Sequence, residues 1–172
     1  MLTLAILRHA KSSWEAGDID DFDRPLNARG RAAAPLMGRV LKEVSFEPQL
    51  ILCSPAKRTR ETLALLYPDA DPPHAEAVFD EQLYLTGPVM LLDRLHQIPA
   101  TCKSVLMVGH NPGLHNLALM LMGTGDAKSI SRLEDKFPTA ALALFTFRET
   151  AWRDIGPASG HLEAYVTPRD RT

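Results

Sequence analysis

The chain is short of most features that would fix its class at once. Of 172 residues only two are cysteines, Cys53 and Cys102, too few for a disulfide framework at this length. Both lie in or beside apolar runs and read as buried free thiols of a reducing compartment. Basic residues are not in excess: 19 Lys and Arg stand against 21 Asp and Glu, a net charge of −2. Nothing in that balance asks for nucleic acid or a membrane surface as partner. The longest apolar stretches, Val105–Val108 and Leu117–Met122, are too short to cross a bilayer. The opening Met1–Leu7 lacks a basic flank and a small-residue cleavage site, so it reads as a first strand and the cytoplasm is expected. Repeats, low-complexity tracts and linkers are absent too, so one domain over 1–172 is expected.

What is present is an alternation of short apolar runs with helical patterns. Thr3–Leu7, Leu50–Cys53, Ala77–Phe79, Ser104–Val108, Ala140–Phe147 and Ala164–Thr167 read as strands. The last is placed near an edge because Pro168 ends it. Asn27 caps a helix whose apolar stripe is Ala33, Leu36, Met37, Val40, Leu41 and Val44. Pro35 inside it predicts a kink or break near Ala34. Ser54-Pro55 reads as N-cap and first residue of a second helix that stops before Tyr67. Further helices are expected over Pro88–Gln97 and after Asn111-Pro112. Lys11–Arg24 and the Pro- and Asp-rich Asp69–Pro73 are loops. The fold class is α/β: a three-layer α/β/α sandwich with a mostly parallel mixed sheet.

Chemistry concentrates at the ends of three of these strands: Arg8-His9, Ser54-Pro55-Ala56-Lys57-Arg58, and Gly109-His110-Asn111. In an open α/β sheet, ligands bind beyond the carboxyl ends of the strands. Two of these motifs also open a helix, whose unpaired N–H groups favour an anion. Arg8, expected from a strand neighbouring that of Arg58, would join it in gripping phosphate oxygens in pairs. Each residue alone has an ordinary reading as a spacer or surface ion-pair partner, and Ser54 is sufficiently explained by the helix start. Only the joint occurrence points to phosphate.

These motifs resemble the histidine phosphatase superfamily, also called phosphoglycerate mutase-like. Arg8-His9-Ala10-Lys11 is similar to its first signature, Ser54–Arg58 with Glu61-Thr62 to its second, and Gly109-His110-Asn111 to its third. Ser12-Ser13-Trp14, Asp23–Gly30, Gly160–Leu162 and Thr167–Arg169 narrow the resemblance to the short SixA-type phosphohistidine phosphatases. The resemblance implies a phosphoglycerate mutase-like fold and a two-step phosphoryl transfer. In it His9 is the nucleophile, and Arg8, Arg58 and His110, the last as a cation or at least a donor, stabilise the transferring group. It also implies no metal or other cofactor, a phosphorylated histidine on a protein as partner, such as a histidine-containing phosphotransfer domain, and inorganic phosphate as product. Signal transduction is the expected setting.

The general acid of the larger family members is the weak point. Asp80 and Glu81 are the candidates, Glu81 foremost, although their flanking pattern departs from the usual acid motif. An imidazole leaves without a strong acid more easily than an alkoxide does, which favours phosphohistidine over a sugar phosphate or another small monoester. The modest length favours it too, since little chain is left for a lid. A mutase is least favoured, because it needs a closed site.

Three rivals use the same residues. A cysteine phosphatase would need five residues between Cys53 and its arginine, with glycine among them; four intervene before Arg58 and none is Gly. A zinc hydrolase would draw on His9, His74, His96, His110, His115 and His161, yet no His-Glu-x-x-His occurs. A phosphoprotein-binding module would need no nucleophile at His9. Lys11, Ser12, Trp14 and Arg24 lie near the expected mouth, Trp14 and Arg24 more as loop fasteners than as substrate contacts.

Overall fold

The computed structural model describes residues 1–15, 17–68 and 75–172. Its strands are β1 (Leu2–Arg8), β2 (Leu50–Cys53), β3 (Glu76–Phe79), β4 (Ser104–Gly109), β5 (Met122–Gly125), β6 (Leu142–Phe147) and β7 (Gly160–Val166). They form one sheet in the order β3-β2-β4-β1-β6-β7-β5. The pairs β2/β3, β2/β4, β1/β4 and β5/β7 are parallel. Only β6 runs against its neighbours. The carboxyl ends of β2, β4, β1 and β7 therefore share one edge of the sheet. The helices are α1 (Ala28–Glu43), α2 (Lys57–Leu66), α3 (Pro88–His96), α4 (Gly113–Leu121) and α5 (Ala127–Asp135).

Both faces of the sheet are covered, as a run of consecutive apolar residues in β1 requires. Leu2, Leu4 and Ile6 pack with Leu91 and Leu95 of α3 and Leu114 and Leu117 of α4. Ala5 and Leu7 face the other way, onto Met37 and Leu41 of α1 and Leu66 of α2. The result is the expected α/β/α sandwich. Each fully buried leucine contributes roughly 1.5–3 kcal/mol, so the central strands are held from both sides.

Several sequence expectations shift. Helix α1 runs unbroken through Pro35. Proline forfeits one hydrogen bond there, but the buried Ala34, Met37 and Val40 hold the turn against the sheet. Gly38 lets α1 approach α2: a Cβ at that position would lie 1.8 Å from the Leu66 carbonyl oxygen. Helix α2 begins at Lys57, not at Ser54-Pro55, and its N-cap is Ala56 with no side-chain cap. Arg58 thus sits in its first turn, and β4 lies between the strands that deliver Arg8 and Arg58. Strand β7 is longer than expected and lies near an edge as expected, one strand in from β5. Strand β5 does not stand out in the sequence, because Met-Gly-Thr-Gly is half glycine and has Thr124 as its single strand-favouring residue. The Asp69–Pro73 loop lies outside the described residues.

Candidate active site

The site grows from the end of β1. The His9 backbone is held from both sides: its N–H donates to the Gly109 carbonyl at 3.0 Å, and its own carbonyl accepts from Ala140 N at 3.0 Å. Its Nδ1 lies 2.7 Å from the Ala10 carbonyl oxygen. A carbonyl only accepts, so Nδ1 carries the proton and Nε2 keeps its lone pair. The ring is 6% exposed. Burial first, then His110, Arg58 and Arg8, hold its pKa down at about 3 against the pull of the Ala10 carbonyl. At neutral pH the imidazole is uncharged. Thr62 of α2 ties the loop down: its Oγ1 accepts from Ala10 N at 3.0 Å and donates to the Arg58 carbonyl at 2.7 Å.

His110, from the end of β4, stands beside it, with ring centroids 5.3 Å apart. Its Nε2 lies 2.7 Å from Ser54 Oγ. When the hydroxyl donates, Nε2 accepts and Nδ1 bears the proton. Burial first, then Arg58, lower the His110 pKa to about 3, so it serves as a neutral donor and not as a cation. Ser54 is fully buried and orients this ring, a part that its reading as a helix start concealed.

Arg8 donates from Nη1 to the Phe137 carbonyl at 3.1 Å. Its pKa is lowered by burial and then by the neighbouring Arg58. Arg58 is only 2% exposed, and both ends of its fork are held by one residue. Nη1 donates to the Asp21 carbonyl at 2.7 Å and Nη2 to Asp21 Oδ2 at 3.0 Å. Tyr84 donates its hydroxyl to the same oxygen at 2.6 Å, and Arg24 reaches Oδ1 at 3.1 Å. Partial burial pushes the Asp21 carboxyl up, but Tyr84, Arg58 and Arg24 together pull it down to about 2. Arg24 also binds Ser12 Oγ at 2.8 Å and lies 3.6 Å over the Trp14 ring, fastening the loop after β1.

Three buried nitrogens at this place have no partner among the described residues: Arg8 Nε, Arg58 Nε and His110 Nδ1. All are donors, and a buried donor without an acceptor is costly. The chemistry that satisfies them is an oxyanion with several oxygens. Neither α2 nor α4 has a side-chain cap, so their first N–H groups add to the same field.

The remaining candidates fall elsewhere. Glu81 is exposed in a short turn over Glu81–Leu83 and makes no side-chain hydrogen bond among the described residues. Asp80 caps that turn and pairs with Arg94 at 2.6 Å. Cys53 is fully buried, and burial raises its thiol pKa to about 12, the opposite of an activated nucleophile. His96, His115 and His161 bond to Ile155, Leu133 and Thr124 respectively, and His74 lies outside the described residues. Among the described residues no group of three His, Cys, Asp or Glu is arranged to hold a metal. Sequence reasoning missed Asp21 and Tyr84. Asp21 sits among other acidic residues of a polar loop, where nothing sets it apart from a solvated carboxylate.

Residues 4–84 match the histidine phosphatase superfamily, branch 1. An uncharacterized protein of Mycobacterium tuberculosis is 34% identical over 165 residues, covering 95% of this chain and all of that protein. The structure from Nakamurella multipartitia assigned as phosphohistidine phosphatase SixA superposes with a TM-score of 0.80 at 26% identity, over 97% of this chain and 96% of that one. The one from Agrobacterium tumefaciens assigned likewise gives 0.78 at 26% identity, over 97% and 99%. The chain belongs to the histidine phosphatase superfamily and is a hydrolase of the phosphatase class.

Proposed function

We propose that the chain removes phosphate from a phosphorylated histidine on a protein. The observation that carries this reading is the protonation pattern around His9. The nucleophile is neutral, the partner-free nitrogens are donors, and the carboxylate bound to Arg58, Asp21, is pinned as an anion near pKa 2. Such a site binds and stabilises a transferring phosphoryl group but keeps no proton ready for an alkoxide. A phosphorylated imidazole needs little such help. The likeness to two structures assigned as SixA phosphohistidine phosphatases supports the same substrate class.

In this reading His9 Nε2 attacks phosphorus in line while the bond from phosphorus to the substrate nitrogen breaks. Arg8 Nε, Arg58 Nε and His110 Nδ1 donate to the equatorial oxygens as their charge spreads. The Ala10 carbonyl fixes the His9 tautomer throughout. Water then attacks the phosphohistidine on His9, releasing inorganic phosphate and restoring the neutral ring.

The test is a comparison of kcat/KM on a histidine-phosphorylated phosphotransfer domain and on a panel of phosphate monoesters, sugar phosphates included. The phosphohistidine protein is expected to be the better substrate by about a hundredfold or more. Equal or faster turnover of a monoester would assign the site to small metabolites instead. An acid-labile, base-stable phosphoenzyme should accumulate in the wild type and be missing in His9→Asn.

A further inference from the structure

Beside the catalytic pocket, on the same edge of the sheet, lies a groove of about 740 Å³. It is framed by the start of α1, the end of α5, the end of β7 and the 3-10 turn Pro168–Arg171. None of Arg8, His9, Arg58 or His110 lines it. Its position nevertheless ties it to the site. Lys11, two residues after His9, forms one wall, and Thr139 forms another just before Ala140, the residue bonded to the His9 carbonyl.

The groove is strongly cationic on a chain whose net charge is −2. Lys11, Arg29, Arg132, Lys136 and Arg169 line it, against the carboxylates of Asp135 and Asp170. Asp170 is already engaged, by Arg132 at 2.6 Å and by Thr167 N at 2.7 Å. Asp135 lies 3.9 Å from Lys136, and both are well exposed. Lys11, Arg29 and Arg169 make no ion pair among the described residues. Three cations that could have been spread over the surface are thus gathered beside the mouth.

We propose that this groove docks an acidic segment of the protein that carries the phosphohistidine. The proposal rests on the substrate class given above and deepens it. Arg29 and Arg169 are exposed, and the buried polar side chains of the lining, Thr167 and Tyr165, already donate to Asp170 and to the Lys136 carbonyl, unlike the partner-free donors around His9. That construction suits a broad charged face more than a small ligand that must be gripped on all sides. With Lys11 two residues from His9 and Thr139 next to Ala140, one protein partner can place its phosphohistidine at His9 while its carboxylates lie along the cations. Charges at an interface rim act on encounter and orientation, so the gain is in KM and depends on salt.

Two phosphohistidine peptides of equal length test this, one flanked by four glutamates and one by four glutamines. The glutamate peptide should show about tenfold higher kcat/KM at low salt, through KM, with the advantage shrinking as salt rises. Arg29→Glu with Arg169→Glu should erase the preference and leave hydrolysis of free phosphohistidine unchanged. Equal rates on the two peptides, or a preference that survives the double variant, would overturn the groove. The unphosphorylated glutamate peptide separates this from the substrate assignment. It should bind the wild type more tightly than the double variant even if no phosphohistidine is hydrolysed, and failure to bind overturns the docking proposal by itself. Tighter binding of a DNA duplex or of phosphatidylserine vesicles to the same residues would give the groove to another partner and likewise overturn the proposal.

Discussion

The two halves of the sheet use the same kinds of side chain in opposite ways. At the ends of β2, β4 and β1, arginine and histidine are buried, nearly every polar atom is assigned, and the few partner-free nitrogens belong to one small pocket. At the end of β7, across the reversed strand β6, Arg29, Lys136 and Arg169 are exposed, Lys11 and Arg132 are half-buried, and Lys11, Arg29 and Arg169 make no ion pair among the described residues. Arg58 at 2% exposure has its guanidinium fixed by Asp21, whereas Arg29 has no such anchor. A buried, oriented charge can recognise where a transition state places its oxygens. An exposed one acts through the summed field and over longer range. Under the two proposals, positive charge on this edge has two tasks, separated by burial and not by residue type.

The pocket half should break most completely. His9→Ala is expected to lower turnover by at least about a thousandfold, since no other group supplies the lone pair. Phosphate should still bind, because the donors remain. Near-normal rates from this variant would remove His9 from the mechanism. Arg58→Ala is expected to cost about a hundred- to a thousandfold and to weaken phosphate binding as well, as for loss of one preorganised donor. No change in the groove half should approach either value.

Smaller effects separate orientation from contact. Asp21→Ala should lower kcat about tenfold by releasing the Arg58 fork, on the scale of one or two hydrogen bonds. In an Arg58→Ala background the same change should cost almost nothing, because Asp21 would have no arginine left to hold. Additive losses would show that Asp21 works by another route. Ser54→Ala should also cost about tenfold, by freeing the His110 tautomer, and Ser54→Thr should recover part of the loss. If Ser54→Ala left kcat intact, His110 would need no help in presenting Nδ1.

The same division explains what the sequence made legible. Arg8, His9, Arg58 and His110 come in short motifs at the ends of continuous apolar runs, so both their elements and their convergence can be read from order alone. The groove cannot be read that way. Its cations lie at positions 11, 29, 132, 136 and 169, and only the return of β6 and β7 brings them together. Strand β5 escaped for a related reason: glycine-rich Met122–Gly125 becomes a strand only by pairing with β7. Asp21 and Tyr84 are 63 residues apart and meet through one hydrogen bond that no local pattern announces. Glu81, chosen for its position in the chain order, lies exposed, while the carboxylate on Arg58 comes from the loop after β1.

The mildest test asks whether the two halves answer to different variables. The groove should respond to salt, and the pocket to pH through stability. His9 and His110 titrate near 3 in the native protein, below the ordinary value of 6.5. Between those values the unfolded chain takes up protons that the native pocket refuses, so native stability falls as pH drops from 6.5 toward 3. Above 6.5 both states hold neutral rings and these residues give no slope. By pH 5 the loss is at most about 2 kcal/mol for each histidine. Asp21 acts lower down: its carboxyl falls from 3.8 to about 2, and the stability it contributes disappears only as pH passes through that range. Thermal melts of the phosphate-free protein at pH 7.5, 6 and 5 should therefore show Tm falling in the wild type and falling less in a His9→Gln, His110→Gln double variant. Equal slopes for the two proteins would mean that the rings accept protons in the folded state, and the pocket would then be less sealed than its burial implies.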